Sequence, residues 1–109
     1  AFLMKDMDVR TTSADLALIL TKLYRGEIWN DDDRDMVIGL MKRQQYRSGI
    51  PAGIGGNGTV ADKVGFRDSY LHDAGIVYSG KGDYAFVIMT SGSSWTAIAN
   101  ASAALYQLL

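Results

Sequence analysis

The chain has 109 residues, a length that fits a single domain or a piece of one with one modest hydrophobic core. Hydrophobic residues make up 48% and charged residues 21%, which excludes a disordered or fibrous protein, and the formal net charge of −1 gives no electrostatic basis for binding nucleic acid or an anionic membrane. The absence of cysteine excludes disulfides and thiolate metal sites, and no apolar run reaches the roughly 20 residues of a membrane span.

Two helices are predicted over residues 12–46, after a leading segment over residues 1–11. Thr12 and Asp15 have the spacing of a capping box, and Gly26 lies where a left-handed C-cap is expected. The second helix begins after Asn30 and carries aspartates in its first turn, where negative charge suits the helix dipole. The two apolar stripes at helical spacing are Leu16, Ile19, Leu20, Leu23 and Tyr24, then Met36, Val37, Leu40 and Met41.

A glycine-rich loop is predicted over residues 48–58, which contain the only proline of the chain. Three strands are predicted after it, over residues 59–65, 70–79 and 84–90, because these stretches are rich in Val, Ile, Tyr and Phe. The short glycine-containing connection between the last two strands is typical of a hairpin.

A closing helix is predicted after Ser93 or Ser94, either of which can cap it. Its predicted face consists of Trp95, Ile98, Ala99, Ser102, Leu105 and Leu109. Residues 59–109 therefore hold three strands and this helix, and the chain 1–109 is predicted to be a single α+β piece. Its antiparallel sheet of about three strands has two helices before it and one after it. So small a sheet is near the minimum for stability, and we expect an open strand edge.

Gly53, Gly55 and Gly58 have the G-x-G-x-x-G spacing of a dinucleotide site. That site needs a strand before the glycines and a helix after them, whereas here a helix precedes and a strand follows, so a flexible connection is the better interpretation. The acidic run over residues 31–33 lacks the rest of a calcium-loop pattern and is interpreted as a charged helix start.

His72 is the only histidine, and Asp73 follows it on a predicted strand. Adjacent residues of a strand point to opposite faces, so the two side chains do not form a metal site together. A Ser-His-Asp constellation is conceivable, because the chain has several serines, but no G-x-S-x-G elbow is present. The interpretation favoured for His72 is a strand histidine bonded to a neighbour, and neither a metal nor a cofactor is expected.

The first predicted strand carries Asp62-Lys63-Val64-Gly65-Phe66. Glycine inside a strand often marks the close approach of a ligand, but K-x-G alone is common by chance. The K-x-G motif becomes informative through the segments that accompany it along the chain. In chain order, these segments are Thr11-Thr12, Tyr24-Arg25-Gly26-Glu27, Met41-Lys42-Arg43-Gln44-Gln45-Tyr46, Ile50-Pro51-Ala52-Gly53, Val60-Ala61-Asp62-Lys63-Val64-Gly65 and His72-Asp73-Ala74-Gly75-Ile76-Val77. With the closing helix, this order resembles the C-terminal part of class A β-lactamases and related penicillin-binding proteins.

The resemblance implies the fold of the C-terminal half of the β-lactamase/transpeptidase-like domain and hydrolysis of a β-lactam amide through an acyl-serine intermediate. Of the family motifs S-x-x-K, S-D-N and K-T-G, only the third maps here, onto Lys63, Val64 and Gly65. By resemblance, these residues and Phe66 bind substrate: Lys63 supplies positive charge, the strand edge pairs with the substrate, and the Phe66 N–H is an oxyanion donor.

Two departures from the family pattern limit this expectation. The chain contains neither Ser-x-x-Lys nor Ser-Asp-Asn, so no catalytic residue is assigned and the chain alone is expected to be inactive. The simplest hypothesis places the nucleophile in the N-terminal part of a longer parent protein. Val64 stands where the family has Thr or Ser, and losing that hydroxyl contact costs about 0.5–3 kcal/mol. The alternative is therefore a catalytically silent or D-alanyl carboxypeptidase-like protein that binds cell-wall material.

The expected partners follow from the same resemblance and from the open sheet. They are a β-lactam or peptidoglycan-like small substrate, the N-terminal part of the parent, and a second copy of the chain covering exposed edges. No nucleic acid is expected. The family works outside the cytoplasmic membrane, so the parent is expected to be exported to the periplasm, the medium or the cell surface.

Overall fold

A computed structural model describes residues 10–109, so most of the predicted leading segment lies outside the described residues. The elements, in chain order, are helices α1 (Ser13–Tyr24), α2 (Asp31–Lys42) and α3 (Ile50–Ile54), strands β1 (Gly58–Arg67), β2 (Tyr70–Ser79) and β3 (Gly82–Ser91), and helix α4 (Trp95–Gln107). The fold is α+β with a three-stranded antiparallel sheet, as predicted. Within residues 10–109, no helix is both long and apolar enough to cross a membrane.

Side-chain caps begin the three longer helices. The Thr12 hydroxyl accepts the Asp15 N–H at 3.1 Å, the Asn30 side chain accepts the Asp33 N–H at 2.8 Å, and the Ser94 hydroxyl accepts the Ala97 N–H at 3.1 Å. Each bond satisfies one of the backbone donors left free at a helix start. After α1, Gly26 has a φ of 73°, the left-handed conformation that glycine adopts most readily at a helix end.

Helix α3 lies inside the interval that was predicted to be a loop, and a 3₁₀ turn over Gly55–Asn57 follows it. Pro51 is compatible with the first turn of a helix, where its missing N–H has no partner to lose. Ile50 and Ile54 are four residues apart and both are fully buried, so one face of this short helix anchors it. A Cβ on Gly53 would clash with the carbonyl oxygen of Ala99, which shows how closely α3 packs against α4.

The sheet has the order β1-β2-β3 and carries helices on both faces. On the first, the α3–α4 face, the buried cluster comprises Ile50, Ile54, Val60, Val77, Phe86, Ile98 and Tyr106. On the second, the α1–α2 face, it comprises Leu20, Leu23, Ile38, Ala61 and Ile76. Within the described residues, the outer borders of β1 and β3 pair with no further strand.

Candidate functional site

Lys63 lies near the middle of β1 and projects from the α1–α2 face, the face to which Ala61 also contributes. Its side chain is exposed, and its ammonium group donates a hydrogen bond to the Val64 carbonyl oxygen at 2.6 Å. An ammonium group has three donors, so this bond holds it beside the strand and leaves donors for a ligand. The structure therefore places the predicted cation at the outer border of the sheet, outside the packed interior.

The backbone N–H and C=O groups of β1 point alternately towards its partner strand β2 and towards the outer border of the sheet. The carbonyl oxygens of Val60 and Asp62 point outwards, because they accept bonds from Arg47 and Gln44, each at 3.4 Å. In an antiparallel strand, every second residue directs its N–H and C=O to the same side. The N–H of Phe66 consequently points to the same outer border, beyond the part that Gln44 and Arg47 cover. The predicted oxyanion donor, the Phe66 N–H, thus points away from β2.

Three aromatic rings border this end of β1. The Phe66 ring lies 5.4 Å from the Tyr46 ring and 6.4 Å from the Trp95 ring, both in edge-on geometry. The Phe66 side chain is 56% exposed, so the cluster presents apolar surface next to the free edge. Such an arrangement can contact the apolar part of a small ligand while the strand edge supplies hydrogen bonds.

Val64 and Gly65 differ in what they offer to a ligand. The Val64 side chain is only 4% exposed and points to the α3–α4 face, so at this position only the backbone can contact a molecule at the border. Gly65 lies on the opposite face, where an added Cβ would meet no atom within 4 Å. No contact within the described residues therefore requires glycine here, and the space beside it is open.

A pair of buried carboxyl groups, which the sequence analysis did not identify as a pair, lies beneath this strand. Asp62 and Asp73 are both fully buried and lie on the same face of neighbouring strands. Burial, and after it the nearby Asp73 carboxyl group, raises the pKa of Asp62 to about 8. The Arg47 guanidinium, 3.6 Å from Asp62 Oδ1, acts in the opposite direction. The sequence carried one usable signal, an aspartate at an alternating apolar position on each of two strands.

The other predicted candidates do not join the site. Nδ1 of His72 accepts the Thr90 N–H at 3.1 Å, which fits the interpretation of a strand histidine bonded to a neighbour. The side chains of His72 and Asp73 lie on opposite faces of the sheet, as the strand alternation requires. Gly53 packs against α4, whereas a Cβ on Gly55 would meet nothing within 4 Å, so these glycines do not converge on one ligand.

Two surface cavities lie away from Lys63. One, of about 430 Å³, lies between α2 and the sheet and is lined by Tyr24, Arg34, Asp35, Ile38, Gly39, Lys42 and Tyr78. The other, of about 450 Å³, is an apolar trough along β3 that is lined by Ser13, Ala14, Ala17, Tyr84, Ala85, Phe86, Val87, Leu105, Leu108 and Leu109. The candidate site is therefore an open strand border, and the trough marks the opposite border of the sheet.

Comparison with known proteins relates the chain to a family. The chain is similar to a solved structure of PBP-A, with a TM-score of 0.81 and 30% identity over 90% of the chain and 39% of PBP-A. A mutant of PBP-A, solved as an acyl-enzyme complex with penicillin G, matches with a TM-score of 0.80, the same identity and the same coverage. A β-lactamase from Sphaerobacter thermophilus matches with a TM-score of 0.82 and 17% identity, over 96% of the chain and 48% of that protein.

The chain thus spans less than half the length of the solved structures to which it is similar. No curated protein sequence matches it. The sequence profile described as the beta-lactamase enzyme family matches residues 2–109, nearly the whole chain. This match and the PBP-A similarity identify the chain as a member of the beta-lactamase enzyme family.

Proposed function

We propose that this chain supplies half of the substrate cleft of a serine hydrolase that opens β-lactam amides through an acyl-serine intermediate. The observation that carries the proposal is the juxtaposition on β1 of an exposed Lys63 ammonium group and an outward-pointing Phe66 N–H on one uncovered border. A substrate carboxylate is attracted by the first group, and the carbonyl oxygen that becomes an oxyanion accepts a bond from the second. The free edge beside Gly65 pairs with the substrate amide, as in strand addition.

The acylated serine, in this proposal, lies on polypeptide outside residues 1–109. The 109 residues contain no Ser-x-x-Lys, and the chain corresponds to 39% of PBP-A, which supports a division of the cleft between this chain and another part of a longer protein. The chain alone should show no turnover. A chromogenic cephalosporin assay that gave hydrolysis above a heat-inactivated control would contradict this expectation.

The hydrolase proposal is tested in the full-length gene product by following acylation with a fluorescent penicillin. We expect Lys63→Ala to slow acylation about 10- to 150-fold, because a hydrogen bond to a charged group contributes about 1.5–3 kcal/mol. Arg67→Ala is the matched control, since it removes a cation from the same strand where the side chain is 91% exposed. Equal rates for the two variants would refute the role of Lys63.

A second candidate function rests on Val64. The family position carries a hydroxyl that contacts the substrate carboxylate, and here a buried valine side chain cannot provide it. This observation favours a catalytically silent or D-alanyl carboxypeptidase-like protein that binds peptidoglycan-like material. The sequence preceding Ala1 discriminates between the two, because a Ser-x-x-Lys and a Ser-Asp-Asn there support hydrolysis, and their absence supports the silent protein.

The proposed partners are the N-terminal part of the parent protein and a second copy of the chain, and both are inferred from the border of β3. The apolar trough beside it includes Leu108, which is 83% exposed, and Leu105 and Leu109, which are each about 40% exposed. In the parent protein, the N-terminal part would cover this trough, and in the isolated chain a second copy would do so. By family resemblance, the parent would be exported from the cytoplasm.

Self-association is measurable by light scattering coupled to size-exclusion chromatography. We expect the isolated chain to be larger than a monomer at high concentration and Leu108→Glu to shift it towards the monomer, because the substitution places a charge in the trough. Leu40→Glu is the control, since Leu40 is also more than half exposed but lies on α2, away from the trough. A monomeric wild-type chain would contradict the proposal.

A further inference from the structure

The buried pair Asp62–Asp73 lacks the donors that two ionised carboxylates require. Asp62 lies opposite Gly75 and Asp73 opposite Val64, so the two side chains are diagonal neighbours on the α3–α4 face. Asp73 Oδ2 accepts the Ile50 N–H at 2.9 Å. The remaining oxygens, both of Asp62 and Oδ1 of Asp73, have no hydrogen-bond donor among residues 10–109. Three unsatisfied buried acceptors are costly, because each has lost its hydration.

Among residues 10–109, the elements around the pair supply one positive charge, and that charge is partly exposed to solvent. From the segment between α2 and α3, the Arg47 guanidinium lies 3.6 Å from Asp62 Oδ1 but is 42% exposed and also donates to backbone carbonyls. Helix α3 contributes the Ile50 N–H, and Gly49, which precedes the helix and lies beside Asp73 Oδ2, is uncharged. Lys63 and His72 project from the opposite face of the sheet. Two carboxylates would therefore face one partly exposed cation.

A single proton shared between the two carboxyl groups engages two of the three oxygens that have no donor. The proton turns one Asp62 oxygen into a donor to Asp73 Oδ1 and reduces the charge of the pair to one, which the Arg47 guanidinium and the Ile50 N–H can balance. We propose that Asp62 and Asp73 share one proton, and that the protonated pair is a pH-sensitive link between the sheet and α3. The link holds Ile50, the first residue of α3, to β1 and β2, because the Ile50 N–H donates to Asp73. The proposal does not depend on hydrolase activity.

The direction of the pH effect follows from the raised pKa of Asp62, about 8 against 3.8 for an unperturbed aspartate. Below pH 4, the folded and unfolded chains both hold the proton, so this group makes the folding stability neither rise nor fall with pH. Between pH 4 and 8, only the folded chain holds it, so folding stability falls as the pH rises, with a limiting slope of about tenfold in the unfolding equilibrium constant per pH unit. Above pH 8, the folded chain also loses the proton and the slope vanishes.

The test is urea unfolding of the 109-residue chain at intervals from pH 5 to pH 9, compared among the wild type, Asp62→Asn and Asp68→Asn. Asp68 is the matched control, because its side chain is 82% exposed and asparagine tolerates its φ of 54°. We expect the wild type and the control to lose stability together as the pH rises. Asp62→Asn should change its unfolding equilibrium constant less than threefold over the same range. Equal slopes in all three proteins would overturn the proposal.

A second measurement uses the wild type alone and therefore does not depend on the folding of the variant. We expect the infrared spectrum at pH 7 to contain a protonated-carboxyl band that disappears by pH 9. The NMR resonance of the Ile50 amide should titrate with the same midpoint, because that N–H donates to the pair. A chain without a protonated carboxyl group at pH 7 would refute the shared proton, whether or not the parent hydrolyses β-lactams.

Discussion

Gly53→Ala tests whether the contact between α3 and α4 holds the fold together. A Cβ at position 53 would clash with the Ala99 carbonyl oxygen, and it would lie 2.7 Å from Ser102 Cβ and 2.9 Å from the Ala103 nitrogen. These are atoms of the backbone and the root of a side chain, so a rotamer change cannot relieve the overlap. Overpacking of this kind costs about 1–3 kcal/mol, and the better helix propensity of alanine returns at most about 1 kcal/mol.

We therefore expect Gly53→Ala to lower the free energy of unfolding by about 2 kcal/mol. In a domain of this size, such a loss corresponds to a decrease in Tm of about 8–16 °C. Thermal unfolding followed by circular dichroism measures it, with Gly56→Ala as the control, since a Cβ on Gly56 would meet no atom within 4 Å. If the two variants melted at the same temperature, the close approach of α3 to α4 would be wrong.

Two hydrogen bonds give further predictions. The fully buried Ser102 hydroxyl donates to the Ile50 carbonyl oxygen at 3.1 Å, so Ser102→Ala should lower the urea midpoint by the equivalent of about 1–3 kcal/mol; an unchanged midpoint would mean that this bond is absent. Ser94→Ala removes the cap of α4 and should cost about 1 kcal/mol. Ser93→Ala is its control, and an equal loss in both would argue against Ser94 as the cap.

The helix starts could be predicted because their signals are local. Thr12, Asn30 and Ser94 each cap a helix through a backbone N–H three residues ahead, a spacing that is legible in the sequence. Helix α3 could not be predicted, because Pro51 and Gly53 lie within its five residues, further glycines flank it, and its anchors are distant in the chain. Asp73 lies 23 residues after the Ile50 N–H that it accepts, and Ser102 lies 52 residues after Ile50.

The candidate site also has a part that could be predicted from the sequence and a part that could not. Lys63 and Gly65 stand in one short motif, so sequence alone could propose them, and the alternation of a strand places both on one face. The partnership of Asp62 with Asp73 depends on the register between β1 and β2, which sets Val64 opposite Asp73. A shift of one residue would have sent Asp73 to the other face. The two-residue turn over residues 68–69 fixes the register, and its Asp-Ser sequence is not one of the usual hairpin turn pairs.

The strand order determines where a further strand could be added to the sheet. β2 separates β1 from β3, so the axes of the two outer strands are about 10 Å apart. A polypeptide that extended the sheet beside β3 would be on the far side from Lys63 and would leave the outer border of β1 free. If an attacking serine comes from such a polypeptide, it cannot be carried on the added strand itself. Anchoring to the sheet and supply of the proposed serine would then be assigned to separate stretches of the incoming chain.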